Sequence, residues 1–230
     1  MNYGYAELDG SELDLHDHQE KERYFIQLYH YVAAAVDLDG KKVLEIGSGR
    51  GGGARYVARV LYPEEMVGLD YSANAVDFSN KNNAGDNLSF VEGDAENILF
   101  ENESYDVVLN VESSHCYGDM QQFVHEVYRI LKPGGYFSWA DLRGAEEGLE
   151  LPGIFKNAGF ETKQEGTITP QVLHALDLIH DRKMDMIEEN VPVFIQSAFK
   201  DFAGVKDSKI YNALKDGSAV YLRYVLQKPV

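Results

Sequence analysis

Short apolar runs alternate with amphipathic segments along the first two thirds of the chain. Five runs have the length and apolar character of buried strands: residues 42–47, 66–70, 88–92, 105–111 and 136–140. Helix-length segments separate several of them, such as residues 54–61, where apolar positions fall on one face. This alternation predicts an α/β fold, namely a doubly wound, Rossmann-like, mostly parallel sheet with right-handed crossovers.

Polar and turn-forming residues mark the ends of the predicted helices. Ser72 is positioned to cap a helix that is predicted to end near residues 82–85. Asp119 is placed to cap the next helix, with Gln122 three residues further on as the second half of a capping box. The Lys-Pro-Gly-Gly sequence at residues 132–135 stops that helix before the fifth strand.

The two ends of the chain depart from this alternation. The first fifteen residues are predicted to form an arm without regular structure, followed by a helix over residues 17–37. The last third is predicted to contain, in order, a helix at 151–158, a strand at 160–168, a helical segment at 170–200 and a strand at 219–226. Two more strands bring the predicted sheet to seven.

The long helical segment before the last strand is predicted to cover the end of the sheet where ligands bind. We therefore expect one domain with four parts: an N-terminal arm and helix (1–39), a cofactor-binding core (40–168), a helical substrate cap (169–217) and a final strand (218–230).

The charge balance limits the classes of partner. The chain has 230 residues and a net charge of −17, from 21 basic and 38 acidic side chains. Such a field repels phosphate backbones and anionic membrane surfaces, so nucleic acid and membrane are not expected partners. No apolar run has the length of a membrane span, no secretory signal is evident, and one cysteine excludes an internal disulfide. We expect a cytoplasmic protein, whose oligomeric state the sequence does not indicate.

A glycine-rich loop follows the first predicted strand. Four of the six residues from Gly47 to Gly52 are glycine, and the loop fits the pattern G-x-G-x-x-G. Glycine permits a positive φ and a close approach of a ligand to the backbone. Asp70 ends the second strand, 19 residues after Gly51, where a carboxylate accepts hydrogen bonds from ribose hydroxyls. A ribose-containing cofactor is therefore predicted, either NAD or S-adenosylmethionine (SAM).

Two further carboxylates favour SAM over NAD. Glu45 lies just before the glycines, where it complements the ammonium and sulfonium of SAM but would repel a pyrophosphate. Asp94 follows the third strand, where it is placed to accept the exocyclic amine of adenine. A loop residue or helix cap is an equally good interpretation of Asp94.

Together these segments resemble the class I SAM-dependent methyltransferases. Five blocks carry the resemblance in order: residues 43–51, 67–72, 90–96, 105–110 and 131–137. The resemblance implies SAM as cofactor, S-adenosylhomocysteine as product, and a final strand antiparallel to the others. It assigns cofactor binding to residues of the first four blocks: Glu45, Gly47, Ser48, Gly49, Asp70, Tyr71, Asp94, Ala95 and Asn110.

The segment after the fourth strand carries the candidate reacting groups. His115 is the predicted general base, because an imidazole ordinarily titrates near neutral pH; a structural histidine that holds the loop is the alternative. Glu112 either orients His115, binds the ammonium of SAM, or is an ordinary loop carboxylate. The histidines near residue 17 are interpreted as a solvated face, so no metal is expected.

The Glu-Ser-Ser-His-Cys-Tyr run at residues 112–117 is similar to a narrower group, the phthiotriol/phenolphthiocerol dimycocerosate methyltransferases and related small-molecule O-methyltransferases. Residues 141–143 and 168–170 match this group too. The working hypothesis is O-methylation of a hydroxyl on a polyketide, glycolipid or other secondary metabolite. Small-molecule N-methylation, an NAD-dependent oxidoreductase and a non-catalytic SAM-binding protein are the alternatives.

Overall fold

The computed structural model describes residues 2–230, which form two compact units. We call the first the helical unit; it contains residues 2–28, Leu142–Gly148 and Thr167–Leu222. We call the second the sheet unit; it contains Tyr29–Asp141, Leu149–Gly166 and Arg223–Val230. The predicted one-domain organisation, with its boundaries, stays a prediction.

A seven-stranded sheet forms the centre of the fold, as predicted. Its strands are β1 (Lys42–Ile46), β2 (Glu65–Asp70), β3 (Leu88–Glu92), β4 (Tyr105–Val111), β5 (Leu131–Gly144), β6 (Glu161–Thr167) and β7 (Ala219–Gln227). Their order is β3-β2-β1-β4-β5-β7-β6, and β1 to β5 pair in parallel. The strand order reverses between β1 and β4, so the loops after these two strands diverge and leave a crevice suited to a ligand.

The last strand is antiparallel to β5. The Gly134 N–H near the start of β5 donates to the Lys228 carbonyl just beyond β7, at 2.9 Å. The Ala145 N–H, just after β5, donates to the Ser218 carbonyl just before β7, at 3.0 Å. Early positions of one strand therefore meet late positions of the other, which confirms the direction implied by the family resemblance.

Nine α-helices accompany the sheet within residues 2–230: α1 (Arg23–Ala33), α2 (Gly52–Val60), α3 (Ala73–Asn82), α4 (Met120–Ile130), α5 (Ala145–Ala158), α6 (Thr169–Leu178), α7 (His180–Asn190), α8 (Gln196–Ala203) and α9 (Lys209–Asp216). The predicted caps are confirmed, since Ser72 accepts the Ala75 N–H and Asp119 the Gln122 N–H. The Gln122 side chain does not complete the capping box but donates to the Glu96 carbonyl at 3.2 Å.

Several predicted boundaries were wrong. Strand β5 begins at Leu131 and not at Tyr136, because residues 132–135 bulge out between two positions that both pair with β4. Helix α5 begins six residues before the predicted start and continues through Pro152. The predicted helix over residues 17–37 divides into a 3-10 helix, Asp17–Glu22, and α1, which ends at Ala33.

Aromatic side chains pack beside the carboxyl half of β5 in the sheet unit. Trp139 and Phe155 are fully buried, with ring centroids 6.0 Å apart in an edge-to-face arrangement. Truncating such a side chain to alanine costs about 3–5 kcal/mol of folding free energy. The Trp139 indole also donates to the Ser114 hydroxyl at 2.9 Å, so this core supports the loop that follows β4.

The helical unit contains the N-terminal arm and α6 to α9. As predicted, residues 2–15 form no helix or strand, but backbone hydrogen bonds hold the arm in place. The Tyr5 N–H donates to the Tyr24 carbonyl at 3.0 Å, and the Ala6 N–H donates to the Gln171 carbonyl at 3.2 Å. Among residues 2–230, no helix is long and apolar enough to cross a membrane.

Candidate functional site

The glycine loop after β1 depends on a backbone conformation that disfavours other residues. Gly47, Gly49 and Gly51 have φ values of +75°, +54° and +74°. A Cβ atom on Gly47 would overlap Ser113 and lie 2.9 Å from the Tyr117 hydroxyl. A Cβ atom on Gly49 would meet nothing within 4 Å, so the loop is packed at Gly47 and open at Gly49. This shape suits a ligand that approaches the backbone.

Asp70 fixes the same loop from the end of β2. Its Oδ2 accepts the Gly49 N–H at 2.7 Å, and its Oδ1 accepts the Ser72 N–H at 2.9 Å. A carboxylate oxygen accepts more than one hydrogen bond, so both oxygens retain capacity for ribose hydroxyls. The neighbouring Tyr71 is exposed. The geometry is compatible with the predicted roles of both residues.

A buried carboxylate lies beneath the loop. Glu45 is completely buried on β1, and its Oε1 accepts the Tyr29 hydroxyl at 2.8 Å. Burial raises the pKa of Glu45 to about 7, although the Tyr29 hydrogen bond opposes this shift. The second oxygen, Oε2, has no hydrogen-bond partner within residues 2–230. A cation at this position would pair with Glu45 and favour its ionised form.

Asn110 joins the end of β1 to the loop after β4. Its Nδ2 donates to the Ile46 carbonyl at 2.9 Å and to the Ser113 hydroxyl at 2.8 Å, and lies 3.1 Å from the Tyr117 hydroxyl. Its buried Oδ1 has no partner in the described part of the chain, and the same is true of the buried Ser48 hydroxyl.

Three buried polar oxygens near the carboxyl end of β1 thus lack partners among residues 2–230: Glu45 Oε2, Ser48 Oγ and Asn110 Oδ1. A buried polar atom without a hydrogen bond costs about 1–3 kcal/mol, so native proteins leave few of them. A cluster of this kind marks a ligand site, and oxygen acceptors beside a carboxylate suit a cationic ligand. The chain's own residues therefore fit the amino and sulfonium groups of SAM.

Asp94 and Ala95 follow β3 at the same edge of the sheet. Asp94 is exposed, and its Oδ1 accepts the Glu96 N–H at 2.8 Å within a local turn. Ala95 is buried. This turn is compatible with either interpretation of Asp94, so adenine binding by Asp94 and Ala95 stays a prediction.

A histidine–aspartate pair lies beyond β4. His115 belongs to the 3-10 helix Ser114–Cys116, and its Nδ1 lies 2.7 Å from Asp141 Oδ1 on β5. Asp141 Oδ2 also accepts the His115 backbone N–H at 2.9 Å and the Ser114 hydroxyl at 2.7 Å. Asp141 is fully buried, whereas the His115 side chain is 36% exposed. With its Nδ1 proton held by the carboxylate, the imidazole presents Nε2 as a proton acceptor.

The sequence did not predict Asp141 as the partner of His115. It offered Glu112 for that role, because Glu112 lies three residues before His115. The available signal was that β4 and β5 are parallel neighbours, so the residues that end them meet at one edge. The charge of Glu112 raises the pKa of Tyr29, which places Glu112 near the Tyr29–Glu45 pair. Its backbone φ is +50°, a strained value of the kind that clusters at functional sites.

Within residues 2–230, no group of three or more histidine, cysteine, aspartate or glutamate side chains is arranged to hold a metal ion. The expectation that no metal takes part stays a prediction. Every candidate discussed so far belongs to the sheet unit.

Comparison with known proteins gives a consistent picture. A family model described as a methyltransferase domain matches residues 44–139. A phthiotriol/phenolphthiotriol dimycocerosates methyltransferase of Mycobacterium tuberculosis is 37% identical over 228 residues, covering 99% of this chain and 84% of that protein. A fatty-acid O-methyltransferase of Mycolicibacterium smegmatis is 34% identical over 229 residues, covering 100% of this chain and 83% of that protein.

Solved structures share the fold. Geranyl diphosphate C-methyltransferase of Streptomyces coelicolor A3(2), in complex with Mg²⁺, geranyl diphosphate and S-adenosylhomocysteine, superposes with a TM-score of 0.72. The sequences are 17% identical, and the match covers 99% of this chain and 92% of that one. A geranyl diphosphate methyltransferase in complex with SAM gives a TM-score of 0.70 at 17% identity, covering 99% of this chain and 98% of that one.

Proposed function

Because the chain belongs to the family of SAM-dependent methyltransferases that includes the phthiotriol/phenolphthiotriol dimycocerosates methyltransferases, we propose that it methylates a hydroxyl group of a lipid-like small molecule. The contact between His115 Nδ1 and Asp141 Oδ1, at 2.7 Å, carries this proposal. An alcohol must lose its proton when it attacks a methyl group, whereas an unprotonated amine needs no base. A buried carboxylate behind a part-exposed imidazole is the arrangement that removes such a proton.

The cofactor is assigned to the site around the glycine loop. Bound SAM supplies an electrophilic methyl group on its sulfonium. Glu45 and the oxygens of Ser48 and Asn110 bind the cationic side of the cofactor, and Asp70 binds its ribose. Support comes from the unpaired oxygens in this cluster and from the open space beside Gly49. Gly47, Tyr71, Asp94 and Ala95 complete the proposed set.

The proton follows a short path. When the acceptor hydroxyl takes the methyl group, whose bond to the sulfonium sulfur would break to leave S-adenosylhomocysteine, the hydroxyl proton would pass to His115 Nε2. The Asp141 carboxylate stabilises the resulting imidazolium through Nδ1 and keeps the ring from rotating. Ser114 and Trp139 fix that carboxylate in turn, since the indole donates to the Ser114 hydroxyl and the hydroxyl to Asp141. Glu112 is assigned to the ammonium of the cofactor, because its charge acts on Tyr29, whose hydroxyl donates to Glu45.

The chemical class of the acceptor is inferred from the names of the related proteins. Their names specify phthiotriol and phenolphthiotriol dimycocerosates or a fatty acid, so we assign the acceptor to lipids and other apolar secondary metabolites. The net charge of −17 argues against nucleic acid as a substrate. We further assign the protein to the cytoplasm.

Two substitutions test the proton path. His115→Gln and Asp141→Asn are expected to lower kcat by about 10²–10⁴-fold, the usual contribution of a general base and of the carboxylate that orients it. SAM affinity, measured by calorimetry, stays within about twofold, since neither change touches the proposed cofactor contacts. The control is His125→Gln on the exposed face of α4. Full turnover in both variants would contradict base catalysis and favour an amine acceptor.

A further inference from the structure

Glu96 joins two loops of the sheet unit: the β3 turn (residues 93–97) and the β4 loop (residues 112–118). Its Oε1 accepts the Gly118 N–H at 2.7 Å. A Cβ atom on Gly118 would lie 3.4 Å from the same oxygen, so the carboxylate packs closely against the backbone there. The β4 loop contains His115 and leads directly into Asp119, which caps α4. The proposed function assigns no role to Glu96.

The β3 turn also contacts two residues that are assigned to the cofactor. The Gly93 N–H donates to the Asp70 carbonyl at 3.0 Å. Asp94 Oδ1 accepts the Glu96 N–H at 2.8 Å, so the side chain assigned to adenine orients the backbone of Glu96. A ligand bound to Asp70 and Asp94 therefore restricts the position of Glu96. All of these residues belong to the sheet unit.

Helix α4 holds the segment that follows the β3 turn. Gln122 Nε2 donates to the Glu96 carbonyl at 3.2 Å. One helical turn further on, Glu126 Oε2 accepts the Ile98 N–H at 2.8 Å. Arg129 Nη2 then donates to the Ile98 carbonyl at 2.6 Å. The three side chains are spaced to lie on one face of α4. Because the β4 loop runs into this helix, the helix and Glu96 both connect it to the β3 turn.

The β4 loop has two further anchors, which limit its backbone conformations. Asp141 Oδ2 accepts the His115 backbone N–H at 2.9 Å. The Ser113 hydroxyl donates to the Ile46 carbonyl at 3.3 Å, just before the glycine loop. A short loop fixed at these points moves as one piece, so the position of Gly118 affects that of His115, three residues earlier.

We propose that Glu96 is a positioning residue, which couples binding of the cofactor to the placement of His115. The inference rests on the proposed function, because it takes Asp94 and His115 in their assigned roles. With the cofactor bound, the β3 turn is fixed, Glu96 binds Gly118, and the β4 loop directs His115 towards the acceptor. Without the cofactor, the Glu96–Gly118 hydrogen bond opens more often and the β4 loop with it.

Amide hydrogen exchange of the β4 loop measures this coupling without turnover. Mass spectrometry follows exchange in peptides that contain residues 115–118, with and without saturating S-adenosylhomocysteine. In the unmodified protein the ligand is expected to slow exchange by about tenfold, the scale of one net hydrogen bond. In Glu96→Ala the ligand is expected to slow it by about twofold or less. A purely structural contact would leave the effect of the ligand unchanged.

Two conservative variants separate the hydrogen bond from the charge. Glu96→Gln removes the charge but keeps an acceptor oxygen for the Gly118 N–H, so it is expected to keep the full effect of the ligand. Glu96→Asp keeps the charge on a side chain that is shorter by one methylene, so it is expected to lose the contact and the effect. Glu101→Ala removes an exposed carboxylate from the same linker and is the matched control.

Turnover gives a second readout. At saturating SAM, with a long-chain alcohol as acceptor, Glu96→Asp is expected to lower kcat by about tenfold, because His115 is correctly placed less often. Glu96→Gln and Glu101→Ala are expected to change kcat by less than about twofold. Coupling between two sites is reciprocal, so the Kd of S-adenosylhomocysteine rises in Glu96→Asp by no more than about the same tenfold.

An unchanged exchange response in Glu96→Ala or Glu96→Asp would overturn the inference, and so would its loss in Glu96→Gln. Calorimetry that finds no binding of S-adenosylhomocysteine to the unmodified protein would contradict the proposed cofactor and this inference together. Binding without turnover of any acceptor would contradict the proposed methyl transfer alone, since the exchange response needs no acceptor.

Discussion

At the scale of single residues, the proposed cofactor site depends on a carboxylate that the fold isolates from water. Glu45 is completely buried, with one oxygen bound to Tyr29 and the other without a hydrogen-bond partner among residues 2–230, and its pKa is raised to about 7 by burial. In the unfolded chain the same group ionises near 4.5. As pH rises from 4.5 to 7, the unfolded state loses this proton while the folded state keeps it, so stability is lost over that window.

Glu45→Gln removes this penalty and the charge together. Above pH 7 the variant without cofactor is expected to be more stable by up to about 3 kcal/mol, since each unit of pKa shift corresponds to about 1.4 kcal/mol. Below pH 4.5 the two proteins are equally stable. Urea unfolding at both pH values measures the difference, and calorimetry is expected to find SAM bound at least tenfold more weakly. Glu64→Gln, at an exposed position, is the control; equal effects of both substitutions would contradict the account.

The glycine loop also restricts which residues are tolerated at its positions. Gly47→Ala places a methyl group against Ser113 and Tyr117 at a φ of +75°. We expect a loss of about 1–3 kcal/mol of stability and weaker SAM binding, measured by urea unfolding and calorimetry. Gly166→Ala, whose Cβ meets nothing within 4 Å and whose φ is not in the left-handed region, is the control. An unchanged Gly47→Ala variant would contradict the packing described here.

The sequence predicted the residues whose role follows from a local pattern. Gly47 and Asp70 belong to a spacing that is typical of ribose-containing cofactors, and the geometry at both positions is compatible with it. The role of Asp141 was not predicted, because it depends on the pairing of two strands about thirty residues apart in sequence.

At the scale of elements, α1 contributes to the proposed cofactor site. The Tyr29 ring lies directly against Gly53 at the start of α2, where a Cβ atom would overlap it, and its hydroxyl reaches Glu45. The predicted helix was correct in position but not in length. Local periodicity also missed the bulge of β5 at residues 132–135 and the early start of α5, because both depend on contacts with neighbouring elements.

Tyr29→Phe tests the contribution of α1. It keeps the ring against Gly53 and removes the donor that lowers the pKa of Glu45. In the proposed cofactor site the ammonium of SAM binds the ionised carboxylate, so SAM affinity is expected to fall as pH drops below about 7 in the unmodified protein. In Tyr29→Phe this fall is expected at higher pH. Calorimetry from pH 6 to 9 measures it, with Tyr62→Phe at an exposed position as control; identical profiles would contradict the role of Tyr29.

At the scale of the whole molecule, the excess of acidic side chains affects stability more than fold. With a net charge of −17, the excess acidic side chains repel one another in the compact state, and salt screens this repulsion. The class of topology to which the strand order β3-β2-β1-β4-β5-β7-β6 belongs was predictable, because alternating strand and helix patterns with right-handed crossovers allow few arrangements. The two-unit division follows from tertiary contacts that no sequence pattern reports.

Raising NaCl from low to about physiological ionic strength is expected to increase the Tm at pH 8 by a few degrees. At pH 5.5, closer to the sequence pI of about 4.7, the net charge is smaller, so the increase is smaller. Scanning calorimetry at both pH values measures the effect, and an uncharged osmolyte at equal osmolality is the control. A decrease in Tm with salt at pH 8 would contradict net self-repulsion.

The identity of the methylated atom tests the central claim most directly. The protein is incubated with SAM carrying a deuterated methyl group and with three long-chain probes: an alcohol, a diol and the matching amine. Tandem mass spectrometry then locates the label. We expect labelled methyl ethers from the alcohol and the diol with the unmodified protein. We expect these ethers to be lost in His115→Gln. Label on the amine nitrogen alone, or ether formation that persists in His115→Gln, would contradict it.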